Sequence, residues 1–358
     1  GNVHSVHRHS EDPNQAVETA RRQIADLINA EAREVVFTSG ATEANNIAVK
    51  GVARFHMRQF GRAHIVTLTT EHKCVLESCR DLEREGVRVT YLAPAADGMI
   101  DLAAFEDALE DDTVLVSILA ANNEIGVIQP LAEIGSLCRD RGIVLHTDAA
   151  QAFGKVTLDV AEMGIGLLSI SGHKIYGPKG IGALYFRRRP RVRLDPLFSG
   201  GGQERGLRSG TLPAPLAIGL GEAAALAAGR LKDDEAVGGR LRDRLLAGLR
   251  RHVPDLVVNG AMTPRLPGNL NVAFPGVDAL ALLDRTKDSV SASAGSACMA
   301  AEVEPSYVLT GIGLPRDIAA SSIRLCIGRP TTEAEVDHAA DVLGSAVIEL
   351  RGSAVAAQ

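Results

Sequence analysis

From about Glu11 to Thr211 the chain alternates short apolar runs with helical periodicity, and this alternation restricts the available folds more than any other feature. The apolar runs are Val35–Thr38, His64–Thr69, Val87–Tyr91, Val114–Leu119, Ile143–Thr147, Leu167–Ser171 and Gly182–Phe186. Helical periodicity fills most of the gaps, as in Gln15–Ala30, Thr42–Phe60, Val75–Glu85 and Leu131–Arg141. Continuous apolar strands separated by helices predict an α/β fold, with a mainly parallel seven-stranded sheet covered by helices on both faces. After Pro213-Ala214-Pro215 an Ala/Leu/Arg-rich region, roughly Leu216–His252, reads as one or two long helices. Short strands near Leu256–Val258, Leu270–Phe274 and Ser322–Ile327, with helices near Ala279–Thr286 and Glu333–Leu350, describe a smaller α+β domain. At 358 residues the chain exceeds one comfortable core. The expected organisation is a large α/β domain over residues 10–225 and a small α+β domain over residues 226–358, with residues 1–9 grouped in the latter. No internal repeat or low-complexity segment is evident.

Charge and cysteine usage exclude several classes. Lys and Arg number 38 against 44 Asp and Glu, a net charge of −6, which offers no bulk attraction to nucleic acid or an anionic membrane. The basic run Arg187-Arg188-Arg189-Pro190-Arg191 reads first as a solvated turn after a strand, and second as a docking patch for an acidic partner. Five cysteines without a Cys-x-x-Cys indicate neither a disulfide framework nor a zinc site, so no metal is expected, and they fit a reducing, cytoplasmic setting. No apolar run approaches the ~20 residues a membrane span needs. The chain opens Gly1-Asn2-Val3-His4 without an initiator Met, and an upstream piece is expected to be missing.

In a parallel α/β sheet, ligands gather at the carboxyl ends of the strands, where the unusual polar residues of this chain recur. Ser39-Gly40-Ala41-Thr42-Glu43 opens a helix, and reads either as a phosphate cradle or as an ordinary cap. His72, in Thr70-Glu71-His72-Lys73, is placed to stack on an aromatic cofactor or shuttle a proton, or simply to cap a helix. Asn122-Asn123-Glu124-Ile125-Gly126 suits either a cofactor hydroxyl or turn chemistry. Asp148 and Lys174 fall at successive strand ends: a carboxylate for a pyridinium nitrogen and an amine for the cofactor's aldehyde. The stretches Gly200-Gly201-Gly202-Gln203-Glu204 and Arg208-Ser209-Gly210-Thr211 read as a phosphate contact or a linker. Arg324 interrupts an apolar strand, where a substrate carboxylate or a buried acidic side chain would be its partner. Cys298 stands among Ser, Ala and Gly from Ser291 to Ala301, a stretch with little reason to be rigid. Cys138 and Cys326 are instead expected in apolar, structural settings. A reactive amine and a reactive thiol together point to pyridoxal-phosphate (PLP) chemistry ending on a cysteine.

Seven motifs, in order, carry a resemblance across the chain: Phe37-Thr38-Ser39-Gly40-Ala41-Thr42-Glu43, Thr70-Glu71-His72-Lys73, Asn122-Asn123-Glu124-Ile125-Gly126, Ser171-Gly172-His173-Lys174, Arg208-Ser209-Gly210-Thr211, Gly295-Ser296-Ala297-Cys298 and Glu304-Pro305-Ser306-Tyr307-Val308-Leu309. The chain resembles the cysteine desulfurases of the NifS/IscS type, class V aminotransferases of PLP fold type I. The resemblance implies that Lys174 holds PLP covalently, Asp148 pairs with its ring nitrogen, and Gln151 and Asn123 contact the ring hydroxyl region. It implies that His72 stacks on the ring and assists proton transfer as a catalytic residue, and that Ala41, Thr42, Ser171 and His173 hold the phosphate, joined by Thr211 from the other subunit of a homodimer. Arg324, with Asn123, binds the carboxylate of L-cysteine. Cys298 takes the sulfur as a persulfide, leaving L-alanine, and passes it to an acceptor protein, an Fe–S scaffold or a thiolation enzyme. Departures from the pattern are Ser293-Ala294-Gly295 where Ser-Ser-Gly is commoner, Met299 after the cysteine, a missing N-terminal strand and a short C-terminus. The competing readings are a selenocysteine lyase, which would discriminate against cysteine, and another class V aminotransferase-type enzyme, which would not need Cys298. A non-enzymatic partner would need none of Lys174, Asp148 and Cys298.

Overall fold

A computed structural model describes residues 11–295 and 305–356. The chain falls into two compact units. The first comprises the described part of Gly1–Leu92, with Ile100–Ala121 and Gln129–Leu231; the second comprises Ala93–Met99, Asn122–Ile128 and the described part of Lys232–Gln358. Two short stretches inside the range 10–225 thus group with the C-terminal part, and the division falls at 231/232 rather than 225/226. Residues 1–9 lie outside the described residues.

In the first unit the elements run α1 (Glu11–Asp26), β1 (Val35–Thr38), α2 (Ala41–Phe60), β2 (His64–Leu68), α3 (Lys73–Arg84), β3 (Arg88–Leu92), α4 (Leu102–Asp107), β4 (Thr113–Ser117), α5 (Leu131–Asp140), β5 (Val144–Asp148), β6 (Leu167–Ser171) and β7 (Gly182–Phe186). The strand order is β1-β7-β6-β5-β4-β2-β3, and only β7 runs against the rest. Strands β1, β2, β6 and β7 are buried along their whole length and β5 from Leu145 onwards, as expected for a sheet covered on both faces. One core cluster joins Ala44, Ile47, Ala48 and Val52 of α2 to Val75 and Leu82 of α3 and to sheet residues such as Val36, Ile65 and Leu115. The helix α4 escaped the periodicity reading because only Phe105 of it is buried; it is set by the Asp101 side chain, which accepts from the Ala103 and Ala104 N–H groups. The helix expected over Gln15–Ala30 ends at Asp26, short of Asn29, which takes a left-handed conformation (φ 55°).

A single helix, α6 (Ala214–His252), spans the region left as one or two helices and runs through the division between the units. The second unit carries a three-stranded antiparallel sheet in the order β10-β9-β8, from β8 (Val257–Val258), β9 (Asn269–Ala273) and β10 (Ser322–Cys326). Helices α7 (Ala279–Thr286) and α10 (Glu333–Ala356) cover it, while α8 (Tyr307–Gly311) and α9 (Arg316–Ala320) lie between. Leu249, Leu270, Phe274, Leu282, Ile323 and Leu343 are central to its core. Gly126 is required there: at φ 74° a Cβ would lie 2.3 Å from the Asn269 amide oxygen. Cys138 is buried in α5, whereas Cys326, expected in an apolar setting, is exposed at the last position of β10. No described helix is long and apolar enough to cross a membrane.

Candidate active site

The site is built where β1, β5 and β6 end on one edge of the sheet. The antiparallel β7 starts between β1 and β6: Gly182 pairs with Thr38 on one side and Ser171 on the other. A Cβ at Gly182 would lie 2.3 Å from the Ile170 carbonyl oxygen and 2.7 Å from Gly40 Cα. Only glycine lets the Ser39-Gly40 turn fold over this point, and that turn brings the N-terminus of α2 beside the end of β6. Gly40 itself holds a conformation reserved for glycine (φ 153°, ψ 179°), and a Cβ there would meet nothing within 4 Å. Ala41 and Thr42 follow as the first residues of α2, with Thr42 exposed. The first N–H groups of a long helix, which find no partner within the helix, form an anion cradle.

From β6, Ser171 leads into a 3-10 turn over Gly172–Ile175 that exposes His173 and Lys174. The Ser171 hydroxyl lies 3.1 Å from His173 Nδ1. Burial, with the charges of Lys174 and Lys179, lowers His173 below the ordinary imidazole range. Lys174 has no hydrogen-bond or ion-pair partner among the described residues, which suits an amine whose task is a covalent bond.

Asp148 ends β5, only 7% exposed. Its carboxylate accepts from Asn45 Nδ2 at 2.7 Å and from the Ala150 N–H at 2.9 Å. Half-buried Gln151 accepts from Lys155 at 3.2 Å. His72 caps α3, accepting from the Cys74 N–H at 3.3 Å, and its Nδ1 lies 2.9 Å from Cys74 Sγ. His72, Cys74 and Asp148 present donor atoms within 4.8 Å of one another, a spacing that a metal ion tolerates but that hydrogen bonds here account for. Next to them Glu71 is fully buried, and burial pushes its carboxyl well above the ordinary range despite the 2.7 Å bond from the Leu119 N–H. Beneath the edge, His146 bridges Ser117 (2.8 Å) and Ser169 (3.1 Å) across three strands, with burial lowering it to about 3.

The stretch before α6 is tied to the same edge. Glu43 accepts from Arg208 at 2.8 Å and from the Ser39 N–H at 2.6 Å. Burial opposes ionisation of Glu43, but Arg208 and Ser39 outweigh it and lower its pKa. Thr211, three residues after Arg208, is exposed.

Asn123 and Arg324 belong to the second unit. The half-buried Arg324 donates to the Asn123 carbonyl at 2.9 Å, while its buried Nε and the buried Asn123 Oδ1 have no partner among the described residues. Ser293 pairs with Arg324 through both backbone bonds, so the segment leading towards Cys298 runs beside β10. Cys298 lies outside the described residues. Thus Ala41, Thr42, His72, Asp148, Gln151, Ser171, His173, Lys174 and Thr211 fall in one unit, and Asn123 and Arg324 in the other.

These residues fit PLP. A buried, doubly hydrogen-bonded carboxylate suits a pyridinium, the exposed amine two strands from β1 suits its aldehyde, and the glycine-lined helix start suits its phosphate. The sequence reading missed Asn45, Cys74 and the Glu43–Arg208 pair. Asn45 had a signal, being a lone amide on the face of α2 that also carries Ala44, Ala48 and Val49.

A family model described as aminotransferase class V matches residues 1–338. A mouse protein named cysteine desulfurase is 55% identical over 342 residues, covering 95% of this chain and 74% of that protein. A Rickettsia bellii protein named cysteine desulfurase IscS is 52% identical over 352 residues, 98% of this chain and 85% of that one. A solved structure of a NifS-like protein superimposes with a TM-score of 0.90 at 32% identity, covering 98% of this chain and 92% of that chain.

Proposed function

We infer the function of this chain from its family: it belongs to the class V aminotransferases and, within them, to the cysteine desulfurases. It is a PLP-dependent enzyme that converts L-cysteine to L-alanine and takes up the sulfur. The observation that carries this reading is the pair formed by Asp148, fixed by two hydrogen bonds, and Lys174, exposed without a partner among the described residues, at the ends of adjacent parallel strands.

PLP supplies an electron sink for charge developed at the substrate Cα. The Asp148 carboxylate holds a proton on the ring nitrogen, which deepens that sink. Ala41, Thr42, Ser171 and His173 hold the phosphate; Gln151 and Asn123 meet the ring hydroxyl region; and His72 covers the ring. Arg324 grips the substrate carboxylate, for which its unpartnered Nε and the neighbouring Asn123 amide are suited. Once the substrate amine has displaced it, the Lys174 amine takes the Cα proton as general base. The Cys298 thiolate then attacks the substrate sulfur. The Cβ–S bond breaks and its electron pair stays on carbon; protonation there, with return of a proton to Cα, completes L-alanine, and the new S–S bond makes Cys298 a persulfide. The persulfide passes to an Fe–S scaffold or a thiolation enzyme. The active form is a homodimer in which Thr211 completes the phosphate site of the other subunit, and its setting is the cytoplasm. The exposed Thr211, Tyr176 and Phe198 support that assembly.

Incubation of the PLP-loaded protein with L-cysteine and a reductant is expected to release alanine and sulfide in equal amounts. Lys174→Ala should abolish both, and Cys298→Ala should keep the cofactor but lose sulfide. Alanine without sulfide from the unmodified protein would refute the reading, and undiminished sulfide from Cys298→Ala would remove that residue from its role.

A further inference from the structure

Asn45 and Cys74 join Asp148 to His72 in one directional chain. Asn45 is fully buried in the second turn of α2. Its Nδ2 lies 2.7 Å from Asp148 Oδ2 and 3.1 Å from Cys74 Sγ. An amide nitrogen carries two hydrogens, and these contacts use both. The opposite amide orientation would set two acceptors against each other at Asp148, so the carboxylate dictates the orientation. Cys74 Sγ lies 2.9 Å from His72 Nδ1, and the Cys74 N–H donates to the same nitrogen at 3.3 Å. A backbone N–H has only a hydrogen to offer, so Nδ1 must bear a lone pair. Burial, then the nearby Asp148 charge, push the Cys74 thiol up to about 12. At neutral pH the sulfur therefore keeps its hydrogen and donates it onwards. Every link has one direction: Asn45 to Asp148, Asn45 to Cys74, and Cys74 to His72.

We propose that Asn45 and Cys74 are positioning residues that hold the Asp148 carboxylate and lock His72 in the tautomer protonated at Nε2. This rests on the reading of Asp148 and His72 as cofactor-facing groups. Its consequence is chemical. The neutral His72 ring presents an N–H towards bound cofactor and substrate, and its only lone pair is turned away towards Cys74. His72 therefore serves as a hydrogen-bond donor and a stacking plate, not as a general base.

The test is ¹⁵N NMR of the full-length holoenzyme labelled at its ten histidines, with His72 assigned by the loss of its signals in His72→Gln. At neutral pH, His72 Nδ1 is expected at the position of an unprotonated, hydrogen-bonded nitrogen and Nε2 at that of a protonated one. Cys74→Ala should shift Nδ1 towards the position of a nitrogen with one bond fewer, and Cys74→Ser should restore it. Asn45→Ala does not touch His72 and, because Asn45 donates to the sulfur and does not hold the thiol hydrogen, should leave Nδ1 hydrogen-bonded while weakening PLP retention through the loosened Asp148 carboxylate. A proton on Nδ1 in the unmodified protein would overturn the proposal without any variant having to fold. A folded Asn45→Ala protein that retains PLP as tightly as the unmodified protein would overturn the positioning of Asp148 by Asn45 as well. Borohydride trapping of PLP on Lys174, read by mass spectrometry, tests the underlying site assignment separately. If trapping fails while the tautomer is found, the cofactor reading falls and the hydrogen-bond chain stands.

Discussion

His146 shows how far a single residue can be read from its type. In the sequence it is a polar letter that follows an apolar run in its strand; in the fold it is fully buried between two serine hydroxyls. Its folded pKa, about 3, lies below the unfolded value of 6.5. The stabilising contribution of the neutral ring is thus complete above about pH 6.5 and is lost as pH falls towards 3. The unmodified protein is expected to lose up to about 1.4 kcal/mol per pH unit through this group. His146→Gln should be less stable at neutral pH but show a shallower decline between pH 7 and 5, measured as urea midpoints. Equal slopes for the two proteins would refute the assignment. Asp148, Lys174 and Arg324 were legible as single residues because a charged group at a strand end or inside a strand contradicts its surroundings. Cys74 was not, since its type is not unusual where it stands, and Asn45 offered only an amide on the apolar face of α2; the folded distances of 2.7 Å and 3.1 Å reveal their task.

At the scale of elements, periodicity located all seven strands of the large sheet to within a residue or two, because strands buried for most of their length leave apolar runs, and the partly exposed β3 still kept enough of one. It missed α4, α8 and α9, which are five or six residues long and too short to repeat a face. It was silent on direction: β7 runs antiparallel, and its first residue is wedged between the ends of β1 and β6. Gly182→Ala tests that wedge. The added carbon would meet backbone atoms only, at 2.3 Å and 2.7 Å, so no rotamer change relieves it. Overpacking of this kind costs about 1–3 kcal/mol or more. The variant should lower the urea midpoint and, by displacing the turn at Gly40, weaken PLP binding in an absorbance titration. PLP affinity equal to that of the unmodified protein would show that the turn and strand do not set the phosphate site.

Across the whole molecule, the least predictable contact joins Arg21 of α1 to Glu204, far away in sequence. Two bonds of 2.8 and 2.9 Å connect them, with side chains 4% and 2% exposed. Glu204 also accepts from the Phe37 N–H at 2.7 Å, and Arg21 donates to the Val35 carbonyl at 2.8 Å. The pair therefore staples the glycine-rich stretch onto β1, and it holds Glu204 and Arg205 in left-handed conformations (φ 47° and 59°). Removing one charge from a buried pair strands the other and costs about 3–5 kcal/mol. Glu204→Gln is expected to lose stability on that scale and to expose residues 200–211 to protease, read by urea unfolding and by mapping the cleavage sites. Unaltered cleavage would mean that Glu43–Arg208 alone anchors the stretch.

The sequence by itself determined the fold class, the order of the elements and the residues that must carry charge. Those follow from periodicity and from the penalty on burying polar groups, both local properties of the chain. Only the tertiary structure decided which way β7 runs, that residues 93–99 and 122–128 join the C-terminal unit, and that Asn45 and Cys74 stand between Asp148 and His72. Hydrogen bonds and steric contacts are fixed by distance in space, and residues far apart in sequence carry no local mark of the partner that folding will bring them.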